Sequence, residues 1–250
     1  MTTVLKLGGS LVTEKTGDRQ LDRAGLQMVA KTIGSVDYSD LIIVHGGGSF
    51  GHPVAKHYGV SANTGTTDSK AIAAISDAMD ELSAAVVQAL CEADVPAVGI
   101  KTGSIAWLDA GGNIHLDHGT VQTMLDEAFV PVARGDIVIQ QSRGATIVSG
   151  DTVAVGLANV LRGERIGLCA DVPGVLDDTG NVIPEIESYE AVERYLDAPD
   201  GADVTGGMAT KIQSILASDV TGAIFGPSEL DDFLAGGFPG TRIGPDAGSF

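Results

Sequence analysis

A chain of 250 residues with 44% apolar side chains and a formal charge of −18, from 33 acidic and 15 basic residues, can build one large α/β domain or two fused lobes. The charge imbalance argues against nucleic acid and anionic membrane as partners. It reads as adaptation to high salt, where screening over a few ångströms removes most of the self-repulsion.

No apolar run nears the ~18 residues needed to span a bilayer, and no signal-peptide pattern precedes the first strand. Cys91 and Cys169 share no metal or disulfide spacing, so a cytoplasmic protein is expected.

Thr3 to Ser10 predicts a strand running into the turn Gly8-Gly9-Ser10, with Lys6 inside the strand. An ammonium in an apolar strand is costly without a partner, so Lys6 is expected to face a ligand. Lys15 follows in the loop Thr13 to Asp18. Helical spacing at Leu21, Leu26, Val29, Ala30 and Ile33 then leads into the apolar run Leu41 to Val44. This β–α–β crossover implies a parallel sheet with ligands at the carboxyl ends of its strands, and places Gly8-Gly9 and Gly46 to Gly48 on one rim.

The stretch His45-Gly46-Gly47-Gly48-Ser49-Phe50-Gly51-His52 organises the rest. Its glycines leave backbone N–H groups unshielded, and a helix starting there would hold an anion at its N-terminus. His45 reads as a strand-end residue hydrogen-bonded in place. His52 is expected to reach an anion on the loop and donate to it. Gly46, Gly48 and Gly51 also satisfy G-x-G-x-x-G, but no strand ending in an acidic residue follows about 20 positions on, which sets a dinucleotide fold aside.

Thr66 to Ala93 predicts a long helix with an apolar stripe, Ile72, Ile75, Met79, Leu82, Val86 and Leu90. The stripe faces the core, and Ile72, Ile75 and Met79 are also placed to meet an apolar substrate tail. Val95 to Ile100 is a strand, and Ser104 to Leu116 a hairpin about Gly111-Gly112-Asn113, with His115 and His118 as surface residues. Short strands at Phe129 to Ala133 and Ile137 to Gln140 flank Arg134-Gly135-Asp136. A further strand then runs into Gly150-Asp151 and the helix Thr152 to Arg162, where Asp151 is expected both to cap the helix and to orient nearby ammonium groups.

A second α/β pattern follows: strand Arg165 to Ala170, turn Asp171-Val172-Pro173-Gly174, and a glycine turn from Asp203 through Gly206-Gly207 to Met208, with Lys211 about one turn inside the next helix. Strand Ala223 to Gly226, a helix around Leu230 to Ala235 and a strand near Thr241 to Ile243 close the chain. No linker separates the halves. One domain over 1–250 with a continuous sheet is expected, with an acceptor-binding lobe over about 1–150 and a nucleotide-binding lobe over about 151–250.

Three glycine turns, three of the seven lysines and one placed aspartate point to a site for several phosphates. No P-loop and no protein-kinase motif is present. Phosphoryl transfer asks the protein mainly for alignment and charge neutralisation, with Mg²⁺ bridging the nucleotide phosphates.

Lys6-Leu7-Gly8-Gly9-Ser10, His45-Gly46-Gly47-Gly48, Ser149-Gly150-Asp151, Asp171-Val172-Pro173-Gly174-Val175 and the turn ending at Lys211 resemble, in order and spacing, the amino acid kinase superfamily. Gly48-Ser49-Phe50-Gly51-His52-Pro53 with Asp203-Val204-Thr205-Gly206-Gly207-Met208 is similar to its isopentenyl phosphate kinase family, which serves the alternative mevalonate route of isoprenoid biosynthesis. The resemblance implies a three-layer αβα sandwich around a mainly parallel sheet, a homodimer, ATP and Mg²⁺, and isopentenyl phosphate as the acceptor.

It further implies that Lys6, Lys15 and Lys211 contact the transferring phosphoryl and nucleotide phosphates, with Asp151 orienting the lysines. Gly8, Gly9, Ser10, Asp171, Gly174, Gly206 and Gly207 would line the ATP side. Gly46, Gly47, Gly48, Gly51 and Gly150 would seat the acceptor, with His52 bonded to its phosphate. Pro173 stands where that family usually has a second aspartate, and Leu176 where an aromatic is common. Two alternatives remain open at this level: a kinase of the same fold acting on an amino acid, carbamate or phosphonate, and a catalytically silent ligand-sensing domain.

Overall fold

A computed structural model describes residues 2–196 and 207–244. In chain order the first elements are β1 (Thr3–Leu7), α1 (Gly9–Val12), α2 (Arg23–Gly34), β2 (Leu41–His45), α3 (Gly48–His57) and α4 (Ser69–Glu92). Next come β3 (Ala97–Gly99), α5 (Thr102–Ile105), β4 (Ala106–Leu108), β5 (Ile114–Leu116), α6 (Gly119–Asp126), β6 (Val130–Arg134), β7 (Asp136–Gln140) and β8 (Gly144–Val148). The rest are α7 (Gly150–Val160), β9 (Arg165–Cys169), β10 (Glu185–Ile186), α8 (Glu193–Leu196), α9 (Gly207–Leu216), β11 (Thr221–Phe225), α10 (Leu230–Leu234) and β12 (Thr241–Ile243).

Among the described residues an eight-stranded sheet runs β10-β12-β11-β9-β1-β2-β6-β3. Every pairing in it is parallel except β11 with β12. β1 lies in its middle, and the chain leaves it first toward β2 and later returns on its other side as β9. That reversal opens a crevice at the carboxyl end of β1, the place where open α/β sheets bind ligands.

The expected single continuous sheet is corrected. β5-β4-β7-β8 form a separate four-stranded sheet, because the chain turns out of the main sheet at Gly135, between β6 and β7. The inner face of this small sheet, with Ala106, Leu108, Val138 and Val148, joins the core beneath α7.

Alternation along β1 assigns its side chains to layers. Leu5 and Leu7 pack with α2, α4 and α10, in a cluster holding Leu26, Val29, Leu82, Val86 and Phe233. Val4 packs on the opposite face with Val153, Ala154 and Leu157 of α7 and Ile212 of α9. Lys6 has the parity of Val4 and therefore stands on the α7 face. His45, with the parity of Leu41 and Ile43, turns toward α4.

α3 contains Pro53, which cannot donate to the carbonyl four residues earlier. That carbonyl, of Ser49, instead accepts from Arg19 N–H at 3.1 Å. The 13–21 loop thus supplies the bond that proline withholds, and the helix continues through it.

Candidate active site

Lys6, Asp151 and Lys211 meet at the carboxyl end of β1. The Lys6 ammonium lies 3.0 Å from Asp151 Oδ1, an ion contact not aligned as a hydrogen bond. Lys211 lies 3.7 Å from Oδ2. All three side chains are at most 12% exposed. Asp151 was expected to cap α7 as well, and that part is corrected: the cap is Ser149, whose hydroxyl accepts from Thr152 N–H at 3.1 Å. With the N-terminus satisfied by Ser149, the carboxylate is left to hold two cations whose outer faces can take phosphate oxygens.

Around this triad the glycine turns interlock backbone to backbone. A Cβ on Gly9 would stand 2.5 Å from the Gly48 nitrogen, and one on Gly46 2.8 Å from the Gly9 nitrogen. Gly48 has φ +46°, and a Cβ there would collide with the Thr13 hydroxyl. Thr13 Oγ1 in turn accepts from Ser49 N–H at 3.1 Å, so that donor of the α3 N-terminus is used internally. Among the described residues the N–H groups of Gly47 and Gly48 meet no protein acceptor. They are the donors left for an anion.

His52 is exposed, in the second turn of α3. Helical Cα–Cβ bonds tilt toward the N-terminus, the end of α3 at which Gly47 and Gly48 lie. Met79 floors the same turn, its sulfur 3.3 Å and 2.8 Å from where Cβ atoms on Gly47 and Gly51 would be. Ile75 is buried, with Ile72 beside it, in a small cluster with Ala55, Val60, Ile137 and Ala145. Ile75 is a core residue, and Ile72 is partly buried against it.

On the opposite side Lys15 extends from the 13–21 loop and pairs with Asp171 after β9. Ser10 is exposed in α1. Gly8 donates its N–H to the Cys169 carbonyl at 2.9 Å, while burial pushes the Cys169 thiol up to about 12 and leaves it inert. Gly174 lies in a turn packed on Val182 and Thr241, and Gly207 opens α9. Gly206 lies outside the described residues.

Beneath the glycine turn lies a buried polar network whose ion pairs no local pattern foretold. Arg134, 2% exposed, gives Nε to Asp136 Oδ2 at 3.1 Å and Nη2 to Asp80 Oδ1 at 2.6 Å. Burial raises the Asp80 carboxyl, but Arg134 and Lys101 outweigh it and hold the group below the usual carboxylate range. His45 Nδ1 lies 3.0 Å from the Gly46 carbonyl and Nε2 2.7 Å from Ser83 Oγ. Desolvation, and next to it the charge of Arg134, lower that imidazole to about 4 despite the Gly46 bond. Gly135 donates to the His45 carbonyl at 3.0 Å and leaves room for Gly150, whose nitrogen a Gly135 Cβ would meet at 2.8 Å. The charged Arg134-Gly135-Asp136 between apolar strands was the signal available.

The geometry is that of an anion crevice: paired lysines on one side, open amides on the other. The Amino acid kinase family profile matches residues 1–218. The chain is 46% identical over 241 residues to the isopentenyl phosphate kinase of Haloferax volcanii, covering 96% of this chain and 97% of that one. It is 34% identical over 260 residues to the isopentenyl phosphate kinase of Methanocaldococcus jannaschii, covering 97% and 98%. A solved isopentenyl phosphate kinase superposes with a TM-score of 0.83 at 28% identity, over 97% of this chain and all (100%) of that one. Related over nearly its whole length in sequence and in fold, the chain belongs to the amino acid kinase family and, within it, to the isopentenyl phosphate kinases.

Proposed function

We propose that the protein transfers the γ-phosphoryl group of ATP to isopentenyl phosphate, giving isopentenyl diphosphate and ADP. The observation that carries this is the Lys6–Asp151–Lys211 cluster at the β1 crevice, beside a glycine turn with unused amides.

A phosphate monoester is already an anion near neutral pH, so its oxygen attacks without a general base. What it needs is neutralisation of the repulsion between two phosphates and an in-line pose. Gly47 and Gly48 amides and His52 fix the acceptor, while Lys6 and Lys211, both held by Asp151, take the transferring phosphoryl. Lys15, paired with Asp171, reaches the nucleotide from the opposite rim, which Gly174 and Gly207 also line.

Among the described residues no three acidic, histidine or cysteine side chains gather for a metal, and Asp151 is engaged with two lysines. Mg²⁺ would then enter on the nucleotide and supply charge neutralisation to its phosphates, with the exposed Asp171 carboxylate, paired with Lys15, as the residue to help hold it. Ile72, Ile75 and Met79 lie toward the isoprenoid tail.

The division into an acceptor lobe over about 1–150 and a nucleotide lobe over about 151–250 belongs to the same reading, supported by the chain crossing β1 between them. So do a cytoplasmic location, supported by two free cysteines, and work in high salt, supported by the charge of −18, while the homodimer follows from the family resemblance. No described helix is long and apolar enough to cross a membrane.

The test is ADP release by purified protein in high salt with isopentenyl phosphate, glutamate, aspartate, carbamate and a phosphonate. Turnover of an amino acid with none of isopentenyl phosphate overturns the assignment. His52→Ala is expected to lose about 10²–10³ in rate, the cost of one preorganised donor, with little change in thermal unfolding. Equal rates in variant and wild type remove His52 from the mechanism.

A further inference from the structure

His45 precedes the phosphate-binding turn, is fully buried, and faces away from Lys6, so it touches neither substrate. Its contacts nevertheless converge on the turn. A neutral imidazole has one N–H and one bare nitrogen. The Gly46 carbonyl can only accept, so the ring's N–H is on Nδ1, 3.0 Å from that oxygen. Nε2 is then bare and accepts from the Ser83 hydroxyl, 2.7 Å away on α4. The main-chain carbonyl of His45 is engaged as well, by Gly135 N–H at 3.0 Å.

A trans peptide is planar, with its C=O and N–H pointing in opposite directions, and no described peptide bond is cis. Turning the Gly46 carbonyl toward the α4 side therefore aims the Gly47 N–H the other way, toward the face where Lys6 stands. That N–H is one of the two amides of the turn without a protein acceptor among the described residues.

We propose that His45 is a positioning residue for phosphoryl transfer: by holding the Gly46 carbonyl, its ring presents the Gly47 amide to the acceptor phosphate. Ser83 on α4 acts one step further back, holding the ring in the tautomer that can do this. The inference rests on the reading of the glycine turn as the acceptor's seat. It adds a buried side chain that acts on the substrate only through a peptide plane.

Two substitutions of similar polarity separate this role from mere packing. Asparagine places an amide N–H where Nδ1 was and can keep the Gly46 bond. Glutamine reaches toward Ser83, where Nε2 was, and leaves the Gly46 carbonyl unheld. His45→Gln is expected to raise KM for isopentenyl phosphate about tenfold or more, the worth of one hydrogen bond to a charged group, with KM for ATP changed less than about twofold. His45→Asn should recover most of the loss. Equal acceptor KM values in the two variants, or parallel shifts in both substrates, overturn the proposal.

Two further measurements do not depend on the acceptor's identity. In ¹⁵N spectra of the wild-type protein His45 must be the Nδ1–H tautomer, and an Nε2–H ring refutes the proposal whether or not the variants fold. Inorganic phosphate must shift the Gly47 amide in wild type and His45→Asn, and shift it far less in His45→Gln. If the wild type binds phosphate there yet fails to turn over isopentenyl phosphate, the acceptor assignment falls while the role of His45 stands. If the Gly47 amide shifts alike in every form, the role of His45 falls.

Discussion

Replacing Asp151 by asparagine removes one charge from a buried triad and leaves two ammonium groups facing each other across a neutral amide. At an effective dielectric of about 20 the contacts at 3.0 and 3.7 Å are each worth roughly 5 kcal/mol of attraction. Much of that is offset, because the carboxylate no longer has to be desolvated and the released lysines relax toward the crevice. The net cost of breaking a buried pair from one side is about 3–5 kcal/mol. For a chain of this size that is a fall of about 6–20 °C in Tm.

The same argument says what reverses the loss. Phosphate oxygens of bound ATP supply the negative charge that the variant's amide lacks, so saturating ATP should narrow the Tm gap between variant and wild type, while turnover stays depressed because the lysines are no longer held in place by a shared carboxylate. The assay is thermal unfolding in constant high salt, with and without ATP, alongside ADP release. A variant that melts with wild type in the absence of nucleotide, or whose deficit ATP leaves untouched, would refute the view of the triad as a preassembled phosphate clamp.

Two other expectations follow from the geometry. Gly9→Ala puts a methyl 2.5 Å from the Gly48 nitrogen and 2.7 Å from its Cα, backbone that cannot rotate aside; overpacking of about 1–3 kcal/mol is expected, with a raised acceptor KM, whereas Gly8→Ala, 3.2 Å from the Cys169 carbonyl, should be milder. Unfolding midpoints and initial rates for the pair check this, and equal effects would count against the interlocked turns. His45, held at about 4 against 6.5 when free, binds a proton in the unfolded chain that the folded one refuses. Its contribution is therefore complete above the free value and lost as pH falls from about 6.5 to 4, amounting to about 3 kcal/mol. Behind the ring, Arg134 and Lys101 hold the Asp80 carboxyl below its ordinary 3.8, so the contribution of that group is lost only in stronger acid. Urea midpoints at pH 7 and 4.5 should show the loss in wild type and a flatter profile in His45→Asn; an unchanged slope in the variant would place the acid sensitivity elsewhere.

Legible in the chain alone were the alternation of strands and helices, the three glycine turns, and Lys6 as an ammonium that must have a partner. These follow from local rules: side-chain period in strand and helix, the missing Cβ of glycine, and the cost of an unpaired charge in an apolar segment. The strand at Thr241–Ile243 lies where the pattern placed it, and Lys211 stands about a turn inside α9.

What only the tertiary structure decided are the properties set by which distant segments become neighbours. Whether Asp151 caps its helix or holds two lysines depended on Ser149 standing two residues before it and on β1 and α9 arriving beside it. Pro53 withholds the N–H that the Ser49 carbonyl would otherwise take, and a loop thirty residues earlier brings Arg19 N–H to that carbonyl instead. The second sheet, and the burial of Arg134 between Asp80 and Asp136, depend on where the chain turns out of the main sheet. Local periodicity tells each side chain which face to take, but the identity of the group waiting on that face is set by strand order, which is a property of the whole chain.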